Sequence, residues 1–281
     1  MYLRISDLAG SSGCVPFLKG RVKNYKFLRS RPNSSSSVQK FSLELGTAVH
    51  ELIQFVLKYP SESRNEIAEQ CAKDLEILRT TLKPSKLLLE AFPNKFLSKG
   101  LVVDKIMKAW EHGSNLLRIC CDFLTYLEDG LPNSKNNWDI KIEVKLHKDN
   151  DGSEYNHSPA SKRVIFNQEM ALHGSVDLVF KWQDMRILGE LKTGRYSEKK
   201  EKTWKDQVSI YGDIWKEKHP EHKVSGVVFH ASKKPIWVHE AYNFSNLEDP
   251  NRRIGGPQCG DCPQKTSCEF STYVKTRNGF V

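Results

Sequence analysis

The chain has 281 residues, with 43 Lys and Arg against 34 Asp and Glu for a net charge of +9, 38 % apolar residues and seven cysteines. That length allows one large domain or two small ones with a proper core. No apolar run approaches the ~20 residues of a membrane span, and the first 30 residues lack the apolar centre of a signal peptide. The expectation is a soluble, cytoplasmic protein whose positive balance suits an anionic partner. An odd number of cysteines without an export signal speaks against a disulfide scaffold and makes clustered cysteines candidates for metal ligands.

The first 40 residues are basic with interleaved aromatics, among them Phe17, Lys19, Arg21, Lys23, Tyr25 and Phe27, and they break up into the serine run Ser34 to Ser37, read as a loop. From Phe41 to Lys58, Leu45, Val49, Leu52, Ile53 and Val56 recur at helical spacing, and Pro60 ends the pattern. Residues 61–134 read as helical, one stretch near 63–82 and a longer one over 101–129 that stops at Gly130 and Pro132. The period then changes to two over Asp139 to Leu146, as in a half-buried strand. A polar stretch from His147 to Lys162 reads as a loop. Two strands follow, Ser175 to Trp182 and Met185 to Lys192, then a helix from Glu198 to Lys218 and a short strand from Val224 to His230. The remainder from Ser245 is polar, rich in Gly and Pro, and holds three cysteines. Helix, three strands, helix and strand make a compact α/β layer, with a large helical insertion before the first strand.

If Gln183 and Asp184 form the turn between the two middle strands, Asp177 and Glu190 stand directly opposite each other on one face, Cβ atoms roughly 5 Å apart. Lys192 points to the same face because side chains alternate. Two like charges so placed need compensation, either by Lys192 in a surface salt-bridge cluster or by a bound cation. A hard divalent ion such as Mg²⁺ or Mn²⁺ suits carboxylate oxygens with open positions for water and substrate.

The local text is Gly174-Ser175-Val176-Asp177, then Glu190-Leu191-Lys192-Thr193-Gly194, then Gln207 and Tyr211 one helical turn apart, with Gly46-Thr47-Ala48-Val49-His50 upstream. It resembles the RecB-like branch of the PD-(D/E)XK nucleases, whose pattern runs G-x-x-x-H, G-x-(I/V)-D, (D/E)-x-K-T-G and Q-x-x-x-Y. The resemblance implies a restriction-endonuclease-like core, a mixed sheet flanked by helices. It also implies catalytic residues Asp177, Glu190, Lys192, Gln207 and Tyr211, and a Mn²⁺ or Mg²⁺ site at His50, Asp177 and Glu190. By itself His50 reads as a boundary residue of an amphipathic helix, and its metal role comes from the company of the other motifs; Glu143 reads as a solvent-facing strand residue or part of the acidic rim.

Cys259-Gly260-Asp261-Cys262, with Cys268 following Cys262 after five intervening residues, is a metal-site spacing that lacks a fourth ligand. Cys71, Cys120 and Cys121 lie within helical patterns as core residues, which leaves Cys14. The CRISPR-associated RecB-like exonucleases and AddB-type nucleases, which this chain is similar to, hold a [4Fe-4S] cluster with one N-terminal cysteine and a C-terminal C-x2-C-x5-C. By resemblance Cys14, Cys259, Cys262 and Cys268 would bind such a cluster; Zn²⁺ is the alternative.

On this reading residues 1–281 form a single nuclease domain: a basic segment with the first helix (1–60), a helical insertion (61–134), the catalytic α/β core (135–244) and a cysteine tail (245–281). A Cys₄ clamp would join the two terminal segments. The implied activity is a divalent-metal-dependent single-stranded DNA exonuclease in CRISPR spacer acquisition or DNA end processing and repair. Lys19, Arg21, Lys23, Tyr25, Arg195 and Lys199 are candidates for the strand contact. No phosphate-binding loop of the G-x-x-x-x-G-K-[ST] type occurs, so unwinding would need a helicase partner. The expected partners are single-stranded DNA or DNA ends and the proteins of a CRISPR integrase or helicase complex, with no membrane. The competing class is a non-catalytic DNA-end-binding or assembly subunit with a vestigial metal site.

Overall fold

A computed structural model describes residues 2–11, 13–21, 37–81, 83–91, 102–130, 138–146, 161–165 and 168–247, and isolated positions beyond (253, 259, 262, 264, 267–269, 275–276 and 279–280). In chain order the elements are β1 (Tyr2–Arg4), α1 (Ile5–Gly10), α2 (Val15–Arg21), α3 (Ser37–Leu57), α4 (Ser61–Thr81), α5 (Lys86–Ala91), α6 (Val102–Gly130), β2 (Asp139–Lys145), β3 (Ser161–Ile165), β4 (Gln168–His173), β5 (Ser175–Trp182) and β6 (Met185–Lys192). There follow α7 (Glu198–Lys218), β7 (Lys223–His230), β8 (Ile236–Val238), a 3₁₀ turn (Phe244–Leu247), β9 (Lys275–Thr276) and β10 (Gly279–Phe280).

Five strands form the central mixed sheet in the order β2-β5-β6-β7-β8. Only β6 and β7 run parallel in it, and α7 is the crossover that parallel pairing requires. The buried side chains of this sheet divide between two clusters. Leu178, Phe180, Ile187, Leu191, Val227 and Phe229 meet Val49, Leu52 and Ile53 of α3 and Leu116, Leu117 and Phe123 of α6 in one buried cluster. The Phe123 ring stands edge-on to Phe180 and Phe229, with centroids 5.6 and 5.1 Å away. Val176, Val179 and Leu188 pack with Ile210 and Ile214 of α7 and with Ile5 and Leu8 of α1 in a second cluster. Each such fully buried side chain contributes about 2 kcal/mol relative to exposure. Among the described residues no helix is long and apolar enough to cross a membrane.

Helix α7 has the expected boundaries. Ser197 caps it by accepting from the Lys200 amide, Glu198 and Glu201 occupy its first turn, and Lys216 and Lys218 its last, in the sense the helix dipole favours. The β5–β6 turn is made by Gln183 and Asp184 as expected, with Gln183 at a φ of 50°. Arg186 Nη1 braces that left-handed residue by donating to its carbonyl at 2.7 Å.

The N-terminal region differs from the basic, open segment expected. The described residues of this segment are a strand and two helices whose Leu3, Ile5, Leu8, Val15, Phe17 and Leu18 are buried, so Phe17 is a core residue. Gly13 and Cys14 lie in the short connection between α1 and α2, as the reading of a Gly13-Cys14-Val15-Pro16 loop expects, but Val15 and Pro16 already belong to α2, and the Cys14 carbonyl accepts from the Leu18 amide in its first turn. Ser37 opens α3 and does not belong to a serine loop; Ser34–Ser36 lie outside the described residues. Ser161 and Lys162 open β3 and so leave the polar loop early. Hairpin β3–β4, with β1 alongside β4, forms a second, three-stranded sheet.

Gly174 is the joint between the two sheets, where β4 leaves the small one and β5 enters the large one. A Cβ there would lie 2.8 Å from Ile5 Cδ1 and 3.0 Å from Tyr211 Cε1. Gly174→Ala therefore forces α1 or the Tyr211 ring aside, at an expected cost of about 1–3 kcal/mol. Urea unfolding checks this, and an unchanged midpoint would contradict it.

Candidate active site

The antiparallel ladder between β5 and β6 keeps the expected register from Trp182↔Met185 to Leu178↔Gly189 and ends there. Asp177 and Glu190 thus lie one step beyond the last pair and are not a ladder pair as the arithmetic implied. From this point β5 continues along β2 to Lys145↔Ser175, while β6 continues along β7 to Lys192↔His230. The sheet opens between its two central strands where the acids sit. The Asp177 carboxylate fills the gap in the ladder, its Oδ2 accepting from the Leu191 amide at 2.8 Å.

Glu190 is buried and held from the α7 side. Its Oε1 accepts from Lys192 Nζ at 2.6 Å and from Gln207 Nε2 at 2.8 Å. Gln207 Oε1 accepts from Lys192 Nζ at 3.1 Å, and its Nε2 also donates to the Tyr211 hydroxyl at 2.6 Å. The amide orientation follows from chemistry, because an ammonium can only donate and must face the Gln207 oxygen. Gln207 and Tyr211 are one turn apart on the buried face of α7, so one helix presents both. His50 enters from α3, its Nδ1 3.7 Å from Asp177 Oδ1. Gly46, one turn earlier, lets α3 approach the loop after β6: a Cβ there would sit 3.2 Å from Thr193 Oγ1.

Burial, then the Asp177 charge, raises the Glu190 carboxyl from 4.5 to about 7 against the opposing pull of Lys192. Burial and the Glu190 charge also push the Tyr211 phenol up, so it keeps its proton. The folded chain holds the Glu190 proton more tightly than the unfolded chain does. Its contribution is therefore fully present below pH 4.5 and lost as pH climbs towards 7, by about 3 kcal/mol in all. Urea melts in EDTA between pH 4.5 and 7.5 should show this fall, and Glu190→Gln should flatten it.

The structure thus brings Asp177, Glu190, Lys192, Gln207 and Tyr211 together, with His50 beside them. The Glu143 side chain lies outside the described residues, as do Lys23 and Tyr25. Lys19 and Arg21 end α2, and the Arg21 guanidinium lies over the Phe17 ring at 5.0 Å. Arg195 and Lys199 are exposed around the start of α7. Cys14, Cys259 and Cys262 are buried and Cys268 is half-buried; Cys14 and Cys262 share one apolar cluster. Among the described residues, the group of three whose ligand atoms all converge within 4.8 Å is His219, Glu221 and His222. Arg186 Nη2 lies 3.1 Å from His222 Nε2 there and opposes a cation.

Sequence reasoning missed His230, which ends β7 opposite Lys192. Its Nδ1 accepts from the Ser232 amide at 3.2 Å, which leaves Nε2–H to donate to the Gly194 carbonyl at 2.7 Å. One buried imidazole so ties the loop after Lys192 to the loop after β7. The Ser232 hydroxyl also lies 2.9 Å from Nδ1, and no local motif signals the tie to Gly194, 36 residues away in sequence.

A mixed sheet whose strands part around two acids and a lysine is the arrangement expected of a metal-dependent nuclease. The profile of the PD-(D/E)XK nuclease superfamily matches residues 23–249, most of the chain, and the protein belongs to that superfamily. A search of curated proteins found no match. PD-(D/E)XK nucleases use divalent cations such as Mg²⁺ or Mn²⁺, and the residues here fit one. Glu190 Oε2 is buried without a hydrogen-bond partner, beside a second carboxylate and an imidazole, and an orphaned anionic oxygen in such a place is costly unless a cation satisfies it.

Proposed function

We propose that this chain is a single-stranded DNA exonuclease of the RecB-like type, acting on DNA ends in spacer acquisition or end repair. The observation that carries the nuclease reading is the buried, half-satisfied Glu190 beside Asp177, with Lys192 held against it. Asp177, Glu190 and His50 would hold the divalent ion, which when bound polarises the scissile phosphate and activates a water. Lys192 carries the positive charge that meets the developing phosphorane. Gln207 fixes the direction of the Lys192 ammonium through its Oε1 while steadying Glu190 through its Nε2. Tyr211 supplies the oxygen that holds the Gln207 amide in that orientation, and Asp177 braces the parted strands through the Leu191 amide.

The second part of the proposal is a four-thiolate centre at Cys14, Cys259, Cys262 and Cys268, a [4Fe-4S] cluster with Zn²⁺ as the alternative. Burial of three of these thiols, and the shared cluster of Cys14 and Cys262, support it. Such a centre would tether the N-terminal helices and their Lys19 and Arg21 to the tail. Lys23 and Tyr25 would extend that contact to the strand, with Arg195 and Lys199 on the α7 side. Protein partners would be those of a CRISPR integrase or a helicase complex.

The test is degradation of end-labelled single-stranded DNA with Mn²⁺, Mg²⁺ or EDTA. Metal-dependent release of mononucleotides or short fragments from an end is expected. Binding without cleavage under every metal would instead establish the non-catalytic end-binding subunit.

A further inference from the structure

A groove of about 700 Å³ runs between the outer face of α6 and the loop Ala231–Pro235 that links β7 to β8, a size that accepts a nucleotide-sized ligand. Its walls are joined by a hydrogen bond from the Asn115 side chain to the Ala231 carbonyl. Two kinds of side chain line it. Tyr126, 64 % exposed, and Trp237 offer aromatic surface, and Arg118, Lys233 and Lys234 outnumber the single acid, Asp122. Leu116, Leu117, Phe123, Leu124 and Leu127 of the same helix are buried, so the exposed Tyr126 ring stands apart from them. Rings for bases with cations for phosphates are the combination that binds unpaired nucleic acid.

The groove is also connected to the candidate active site. Its loop begins immediately after His230, the residue paired with Lys192, and the same imidazole holds the Gly194 carbonyl. Lys233 Nζ lies 4.1 Å from the centroid of Tyr196, which stands between the lysine motif and α7. In the sheet order β5-β6-β7-β8 the groove lies one strand beyond β6, at the end of β7 where His230 faces Lys192.

We infer that this groove seats the single-stranded DNA beyond the scissile phosphate, with a base stacked on Tyr126 and backbone phosphates on Arg118 and Lys234. The inference rests on the nuclease reading and adds to it a role for the helical insertion. Duplex DNA fits less well, because its bases expose no faces to stack.

The test is fluorescence anisotropy with a labelled oligo-dT in EDTA, comparing the full-length wild type with Y126A/K234A, both residues being surface groups. The variant should bind about tenfold or more weakly, from the loss of one stacked base, with its salt slope reduced by about 0.7. An oligonucleotide carrying 5-iodouracil should photocrosslink to the peptide containing Tyr126. Wild-type binding and cleavage by the variant, without a crosslink in α6, overturns the groove and leaves the nuclease reading standing. A wild type that neither binds nor cleaves the oligonucleotide fails the nuclease reading and the groove together. Equal dependence of duplex binding on Tyr126, with no single-strand binding, overturns the choice of occupant.

Discussion

Asp177→Asn, Glu190→Gln and Lys192→Met should each lower metal-dependent cleavage by on the order of a thousandfold or more, while single-stranded DNA affinity in EDTA stays within about threefold of wild type. Their effects on the metal-free fold should differ in sign, which separates charge chemistry from general damage. Glu190→Gln keeps an acceptor for Lys192 and Gln207 but removes a charge whose carboxyl the fold holds at about 7. Above that pH it should stabilise the EDTA-treated protein by up to about 3 kcal/mol. Lys192→Met removes the opposing charge and should destabilise. Asp177→Asn retains a carbonyl for the Leu191 amide and relieves the like-charge contact, so its melt should stay near wild type. Urea melts at pH 8 alongside a labelled-strand cleavage assay check all three. A Glu190→Gln protein that is less stable in EDTA, or that still cleaves, would contradict the assignment. Such a pattern is the ordinary cost of a functional site, in which stability is given up to hold charge where substrate will sit.

Much of this centre was legible because it is local. The hairpin register needs only strand alternation and a short turn, and α7 shows itself through a cap, a charge gradient and apolar spacing. Where the reading failed, the determining contact is distant in sequence. Nothing near Asp177 says that β5 will follow β2 while β6 follows β7, yet that divergence opens the ladder at the acids. Strands β1 and β8 are three residues each, too short for a period, and are strands because a neighbour supplies their partners. Helices α1 and α2 were hidden by basic residues: Lys19 and Arg21 dominate the local charge, while Leu8, Phe17 and Leu18 ahead of them are buried. His230 had no signal because the carbonyl it holds, that of Gly194, is distant in sequence.

The N-terminal helices also set the largest expected effect on stability. If Cys14 is bound with Cys259, Cys262 and Cys268, the centre closes nearly the whole chain into one loop. Loop-closure entropy for a span of that length is on the order of 5 kcal/mol, and the metal–thiolate bonds add folding free energy of their own. Cys14→Ser should therefore destabilise by about 5 kcal/mol, and iron and visible absorbance should fall in proportion. A buried thiol outside the centre provides the control. Cys120 is fully buried in α6, burial holds its thiol protonated, and Cys120→Ala should cost about 1–2 kcal/mol through lost packing with iron retained. Because α1 packs against α7 and abuts Gly174, loosening the terminal helices should reach Tyr211 and hence the Gln207–Lys192 contact. Cleavage by Cys14→Ser should then decline at temperatures well below its unfolding midpoint. A colourless wild type with stoichiometric zinc would replace the iron cluster while leaving the stability argument in place. A Cys14→Ser protein with full metal content and the stability of the Cys120 control would remove Cys14 from the ligand set.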